Sequence, residues 1–441
     1  VSEDQGSKIS TGRLSRLAKM ATLTARTAGD LALGRAKKAL GDDSLSQEKA
    51  AAKKVLETLG TMKGAAMKLG QQLAMEADTL PPEAREIVSK LFAQAPAMGY
   101  EEIARVIQDE LGDAPDVVFA EFDQKPLASA SLGQVHRARL KDGTQVAVKV
   151  QYPGVAEALV NDLKNAGLLV RTFNGASRQL TNVDPTPYYE EIRREIGAEV
   201  DYLREAKLST EFAQAVSHVP ELHVPKVYPV YSTARVLTME LVEGKPLHTW
   251  TQSPDLTEEE RFRVGRQLAF AVLVPFVKHR MVHGDPHPGN FLVRPDGRLT
   301  VLDFGAVKKL TPEFVSGFWG LMEAELENRE PDFVPLLQRA RFNFKGDLDK
   351  ARDTLRSLHG IASRPVRQET YDWAKCEMVV DFRKYFLQNL KDVAEIEAPP
   401  ESILFYRAIG GLANNLKMLK TNGPYREVCR EIGEMLTPHA T

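Results

Sequence analysis

The run H-G-D-P-H-P-G-N at 283–290 and the triplet D-F-G at 303–305 carry side chains suited to chemistry. Asp285 stands five positions before Asn290, and Asp303 follows after a short hairpin-like stretch. A carboxylate placed to orient a nucleophile or accept its proton, then an amide and a carboxylate able to hold Mg2+, is the donor pattern of phosphoryl transfer. His283 and His287 raise the alternative of a zinc centre. Zinc needs three or four convergent ligands, and the motif itself supplies two. The histidines are therefore expected to brace the loop by hydrogen bonds.

Upstream, A-S-A-S-L-G-Q-V (128–135) fits a phosphate-covering loop in which Ala128 and Ala130 stand where glycines would be, with Gly133 and Val135 in place. Alanine restricts the backbone that would fold over phosphates. The match is weak alone, but Lys149 follows inside V-A-V-K-V, the setting of a strand lysine that pairs with α/β-phosphates. We take Ala128, Ser129, Ala130, Ser131, Gly133, Val135 and Lys149 as nucleotide-binding, with Met239 and Glu240 of a later extended run.

The elements that must position these residues are legible in outline. Residues 44–112 have a helical pattern. Q-V-H-R-A-R-L (134–140) and Q-V-A-V-K-V (145–150) alternate around an Asp-Gly turn, a hairpin signal. V-P-K-V-Y-P-V-Y and A-R-V-L-T-M-E-L-V suggest an extended pair in 224–242, and 291–305 a further hairpin. The apolar run 268–277 predicts a buried helix under the catalytic loop. After Pro187, Ile192, Ile196, Val200 and Leu203 define one apolar helical face with Glu199 within it, whereas Asp201 and Glu205 fall opposite, where solvation explains them equally well. In 62–73, Lys68 and Gln71 share a helical face among small residues, and spacing alone favours core packing with a solvated lysine.

The chain has 441 residues, 43% hydrophobic and 27% charged, which allows about three domains with a large core. A net charge of −2 gives no support for nucleic-acid binding. Cys376 and Cys429 cannot build a disulfide framework and are expected to be buried and inert. No segment has the roughly 20 apolar residues that span a bilayer, and a start at Val1 with acids close behind predicts no signal or transit peptide. Residues 8–40 carry eight Lys/Arg against the single acid Asp30. That bias suits either an anionic membrane surface or a helix packed on the main domain.

Together these residues resemble the UbiB (AarF-type) family of atypical protein-kinase-like proteins that support ubiquinone biosynthesis. K-L-G-Q (68–71) is similar to the family's K-x-G-Q signature and E-V-D (199–201) to its E-x-D signature, and H-G-D-P-H-P-G-N and D-F-G-A are similarly characteristic. The resemblance implies an α+β, two-lobed kinase-like fold with a helical N-terminal extension, divided as 1–112, 113–243 and 244–441. It pairs Lys149 with Glu205, and Lys68 with Glu199, and places the K-x-G-Q helices over the region where a kinase binds peptide. ATP and Mg2+ are the implied cofactors; lipid or quinone-precursor small molecules, ubiquinone-biosynthesis proteins and an anionic membrane surface are the implied partners. A cytoplasmic, peripherally membrane-associated protein is expected. Ser129 departs from the alanine that the family often has there. Two other readings stay open at this point: a small-molecule kinase of the aminoglycoside or choline type, and a nucleotide-gated scaffold.

Overall fold

The alternating segments fold as their period requires. A computed structural model describes residues 98–130, 132–160, 163, 184 and 186–435. The basic segment 8–40, Lys68, Gln71 and Ser131 lie outside the described residues. Two compact units divide the chain after residue 171.

In the first unit, α1 (Tyr100–Leu111) buries Ile103, Val106 and Ile107 and ends on Gly112 with φ 90°. Strands β1 (Glu121–Phe122), β2 (Ala128–Ala130) and β4 (Gln145–Gln151) all pair antiparallel with β3 (Gly133–Arg139). The β3–β4 connection is the expected Asp-Gly turn: Gly143 adopts φ 89° and Asp142 Oδ1 accepts from Thr144 N at 2.9 Å. Burial of β4 on both faces fits its near-continuous apolar run.

The second unit is mainly helical around one apolar core. The 268–277 run lies within the expected buried helix, α4 (Glu258–His279), which starts with a Thr257–Glu260 capping box. Its neighbours include α5 (Ser402–Leu419) and strand β8 (Met281–His283). The predicted hairpin in 291–305 is present as β9 (Phe291–Val293) and β10 (Leu299–Val301). The 224–242 pair is only half realised. Val236–Glu240 is a strand (β6), while the first segment contributes an isolated bridge from Val227 to Met239 before a 3-10 turn at Pro229–Tyr231. Pro229, lacking an N–H and with φ fixed, ends the extension there.

One expectation is corrected. The segment after Pro187 is not a single helix but two, α2 (Thr186–Ala198) and α3 (Tyr202–Ala215), broken across 199–201. Asp201 stands in the break with extended backbone, and its Oδ1 accepts from Leu203 N at 3.0 Å and Arg204 N at 3.2 Å, capping α3. The break resets the helical phase. Ile192 and Leu203 are exposed, whereas Glu205, which the single-helix face put opposite the stripe with solvation and chemistry both open, is 2% exposed. Glu199 is buried as its position in the stripe required.

Candidate active site

Backbone pairing brings the two motifs together. β8 runs antiparallel to β11 (Val307–Lys309) with His283 opposite Val307, and Gly284 N donates to Ala306 O at 3.2 Å. The H-G-D-P-H-P-G-N loop leaves β8 beside the point where the D-F-G triplet leads into β11. His283 Nδ1 accepts from Asp285 N at 3.4 Å, which leaves its Nε2 to donate to Leu302 O at 3.1 Å. His287 Nδ1 accepts from Gly289 N at 3.0 Å. Both histidines thus brace the loop, as expected. Asn290 Nδ2 donates to Asp285 Oδ2 and to Asp285 O, each at 3.0 Å, and Leu302 N donates to Asn290 O at 2.8 Å. Asp285, Asn290 and the residue preceding Asp303 therefore form one hydrogen-bonded unit.

Helix α5 supplies what the motif reading missed. Arg407 Nη2 donates to Asp285 Oδ1 at 3.0 Å, and Asn415 Nδ2 donates to Pro286 O at 2.9 Å. Gly411 faces Pro286 so closely that a Cβ built there would lie 2.0 Å from Pro286 Cγ. The only sequence signal for these contacts was the small-residue, Asn-rich composition of A-I-G-G-L-A-N-N. Both Asp285 oxygens accept hydrogen bonds, so the carboxylate is held in orientation, fit to align an incoming hydroxyl or water and take up its proton.

Asp303 adopts φ 58°, a left-handed conformation uncommon outside glycine but tolerated by aspartate. Its Oδ1 accepts from Gly305 N at 3.3 Å. A Cβ built on Gly305 would lie 3.4 Å from Asp303 Oδ1, 3.7 Å from Glu199 Cγ and 3.7 Å from Glu205 Oε2. The D-F-G glycine is thus ringed by three of the predicted site carboxylates. Arg204 Nη1 donates to Gly305 O at 2.8 Å and Nη2 to Val307 O at 3.2 Å.

In the first unit, Ala128, Ser129 and Ala130 sit opposite Val135, Gln134 and Gly133 in the β2–β3 ladder. Lys149 lies opposite Val135 and is buried, in agreement with its valine flanks. Gly133 has a packing requirement of its own, because a Cβ there would fall 2.1 Å from Val150 O. Within the second unit, Met239 and Glu240 end β6, and Glu240 Oε2 is held by His223 Nε2 at 3.1 Å and Lys226 N at 3.2 Å.

The donor chemistry favours a hard cation. Among the described residues, no group of three or more His, Cys, Asp or Glu is placed to hold a metal ion. Mg2+ commonly takes one or two side-chain oxygens and completes its shell with water and phosphates. Asn290 and Asp303, both only partly buried, fit that habit. Cys376 and Cys429 are free and buried, and burial pushes the Cys429 thiol up to about 12, away from nucleophilic use. No described helix is long and apolar enough to cross a membrane.

Known proteins share this architecture. The ABC1 atypical kinase-like domain profile matches residues 90–331. The mitochondrial atypical kinase coq-8 of Caenorhabditis elegans is 30% identical over 389 residues, which covers 86% of this chain and 50% of that protein. The mitochondrial atypical kinase COQ8B of Rattus norvegicus is 32% identical over 348 residues, covering 76% of this chain and 64% of that protein. The chain thus spans half to just under two thirds of these relatives' length. Among solved structures, Rv3197 of Mycobacterium tuberculosis, in complex with erythromycin, aligns with TM-score 0.58 and 28% identity, covering 89% of this chain and 98% of that one. With the profile matching more than half of its length and its motifs in kinase-like register, the chain belongs to the ABC1 atypical kinase-like family, the UbiB (AarF-type) group.

Proposed function

We propose that this protein binds Mg-ATP and uses it for ATP hydrolysis or for phosphoryl transfer to a small lipophilic acceptor, in support of ubiquinone biosynthesis at an anionic membrane surface. The observation that carries the reading is the joined loop: Asp285 is held by Asn290, and Asn290 O accepts from Leu302 N, the residue before Asp303. Asn290 and Asp303 would hold Mg2+, which when bound neutralises phosphate charge. Asp285 orients the nucleophile and accepts its proton. Ala128, Ser129, Ala130, Ser131, Gly133 and Val135 cover the phosphates, Lys149 contacts them, and Met239 and Glu240 border the nucleotide. The resemblance assigns Glu205 to Lys149 and Glu199 to Lys68, and a double-mutant cycle on each pair tests those assignments. The resemblance implies a K-x-G-Q cover that includes Lys68 and Gln71, so generic proteins are expected to be poor substrates.

Relatives named as mitochondrial coq-8 and COQ8B kinases support the link to quinone lipids, and the erythromycin complex of Rv3197 supports a small-molecule ligand. The membrane surface rests on the basic segment 8–40. The test is ATP turnover measured with and without vesicles containing anionic lipid and a phenolic quinone precursor. Mg2+-dependent turnover that rises with vesicles is the expected result. Nucleotide binding with no turnover, although Asp285, Asn290 and Asp303 are intact, would replace the enzyme with a nucleotide-gated scaffold.

A further inference from the structure

A buried ion cluster lies beside the carboxylates just described. Glu191 and Glu195, one turn apart on α2, are 7% and 8% exposed, and Lys308 of β11 is 9% exposed. Lys308 Nζ pairs with Glu191 and lies 3.5 Å from Glu195 Oε1. Arg194 closes the cluster from the solvent side, pairing with Glu191 and lying 3.7 Å from Glu195. Arg204 Nη2 is 3.5 Å from Glu195 Oε2 while its fork holds the carbonyls of Gly305 and Val307.

We propose that Lys308 and Arg204 are positioning residues for phosphoryl transfer, fixing the α2–α3 junction and its Glu199 and Glu205 against the D-F-G loop. The inference rests on the function proposed above. Its physical basis is the convergence of Glu199, Glu205 and Asp303 on Gly305. Bringing these three side chains to one glycine requires the α2–α3 junction and the D-F-G segment to be held in register, and the Arg204 and Lys308 ties span that seam. Glu195 precedes Glu199 by one turn and Arg204 directly precedes Glu205, so each tie acts within a residue or a turn of a site carboxylate. On the other side, both ties land on the segment immediately after Asp303. Arg204 is suited to this because a planar guanidinium can serve two carbonyls and a carboxylate together, which an ammonium cannot do in the same geometry.

A buried ion pair is weak evidence for stabilisation, since desolvation offsets much of the attraction. Burial raises the Glu195 carboxyl above its ordinary range, against the opposing effect of Arg204 and Arg194, and lowers the Lys308 ammonium below its own. The ties join α2, α3 and β11 through one group of side chains. They set where two segments stand relative to each other.

The experiment uses the full chain with Arg204→Lys, Lys308→Met and Lys308→Arg. Three quantities are measured: ligand-free melting temperature, affinity for Mg-ATP against ADP with EDTA, and hydrogen exchange of amides 302–309 without ligand. Arg204→Lys is expected to weaken Mg-ATP binding at least about tenfold, equivalent to roughly 1.4 kcal/mol. It should leave ADP-EDTA binding and the melting temperature near wild type while exchange at 302–309 accelerates. Lys308→Met should add destabilisation, and Lys308→Arg should restore binding. Folded variants with wild-type Mg-ATP affinity, or with both affinities falling alike, overturn the positioning role. Should Lys308→Met not fold, Arg204→Lys decides alone. A wild type that takes up no Mg-ATP removes the phosphoryl-transfer reading instead, and exchange at 302–309 unchanged by Arg204→Lys then removes the positioning role on separate grounds.

Discussion

Arg407 donates to the Asp285 carboxylate at 3.0 Å across 122 residues of chain, joining α5 to the H-G-D-P-H-P-G-N loop. The pair is sheltered, with side chains 24% and 14% exposed. The profile match ends at residue 331, so this partner comes from beyond the matched domain.

Replacing Arg407 with Gln should therefore cost more in turnover than in nucleotide affinity, because the role proposed for Asp285 is to orient the nucleophile and not to hold the nucleotide. A hydrogen bond to a charged group contributes about 1.5–3 kcal/mol, and we expect a loss in kcat of at least about tenfold. Steady-state kinetics check this; an unchanged kcat in folded Arg407→Gln would reduce the pair to a structural tie.

Asp303→Asn should remove the Mg2+-dependent part of stabilisation by ATP while keeping the fold, since asparagine also tolerates the left-handed backbone that Asp303 adopts. At a ligand concentration of about 100 Kd, wild type gains roughly 2.7 kcal/mol. Thermal shifts with ATP in Mg2+ and in EDTA make the comparison. Equal Mg2+-dependent shifts in the two proteins would take Asp303 out of the site.

Asp201 caps α3, and we expect it to act through that helix. Loss of its cap in Asp201→Ala should cost about 0.5–2 kcal/mol, and Asp201→Ser should recover most of that because serine also caps. Urea denaturation of both variants decides the point; a Ser variant as impaired in turnover as Ala, yet as stable as wild type, would give the carboxylate a direct role.

Much of this site was legible because its motifs are local. The H-G-D-x-x-x-x-N run, the D-F-G triplet, the Lys149 strand and the Asp-Gly hairpin each declare themselves within a few residues. What escaped was phase and distance. A helical face drawn through 192–203 placed Ile192 and Leu203 inside and Glu205 outside, because periodicity cannot see a three-residue break that Asp201 caps. The burial of Glu191 and Glu195 was equally invisible, since the lysine that permits it lies more than a hundred residues downstream. Arg407 and Asn415 carry no spacing signal at all, for their partners are set by how α5 packs.

Stability should fall on mild acidification. His136 and His359 are both held below the ordinary histidine value, chiefly by burial, with His359 partly compensated by Glu325 at 2.8 Å. A depressed folded value means that the fold prefers neutral imidazole. The stabilisation is thus present above the unfolded value of about 6.5 and is lost as pH falls through the folded values. Urea midpoints should decline below about pH 6.5, and His359→Gln should flatten the decline. A wild-type midpoint constant across that window would contradict the assignment.

The seat of Pro286 on Gly411 bears on time scale. A loop resting on side chains can adjust by rotamer jumps within picoseconds to nanoseconds, whereas collective helix motions take roughly microseconds to milliseconds. Pro286 rests against bare helix backbone, and Asn415 and Arg407 tie the same loop to the same helix. The backbone beside Asp285 therefore has little room to shift toward α5 unless the helix moves with it. If this loop rearranges while the protein works, the packing of Pro286 on Gly411 couples that backbone shift to α5, and the slower time scale of helix motion is the one expected for it.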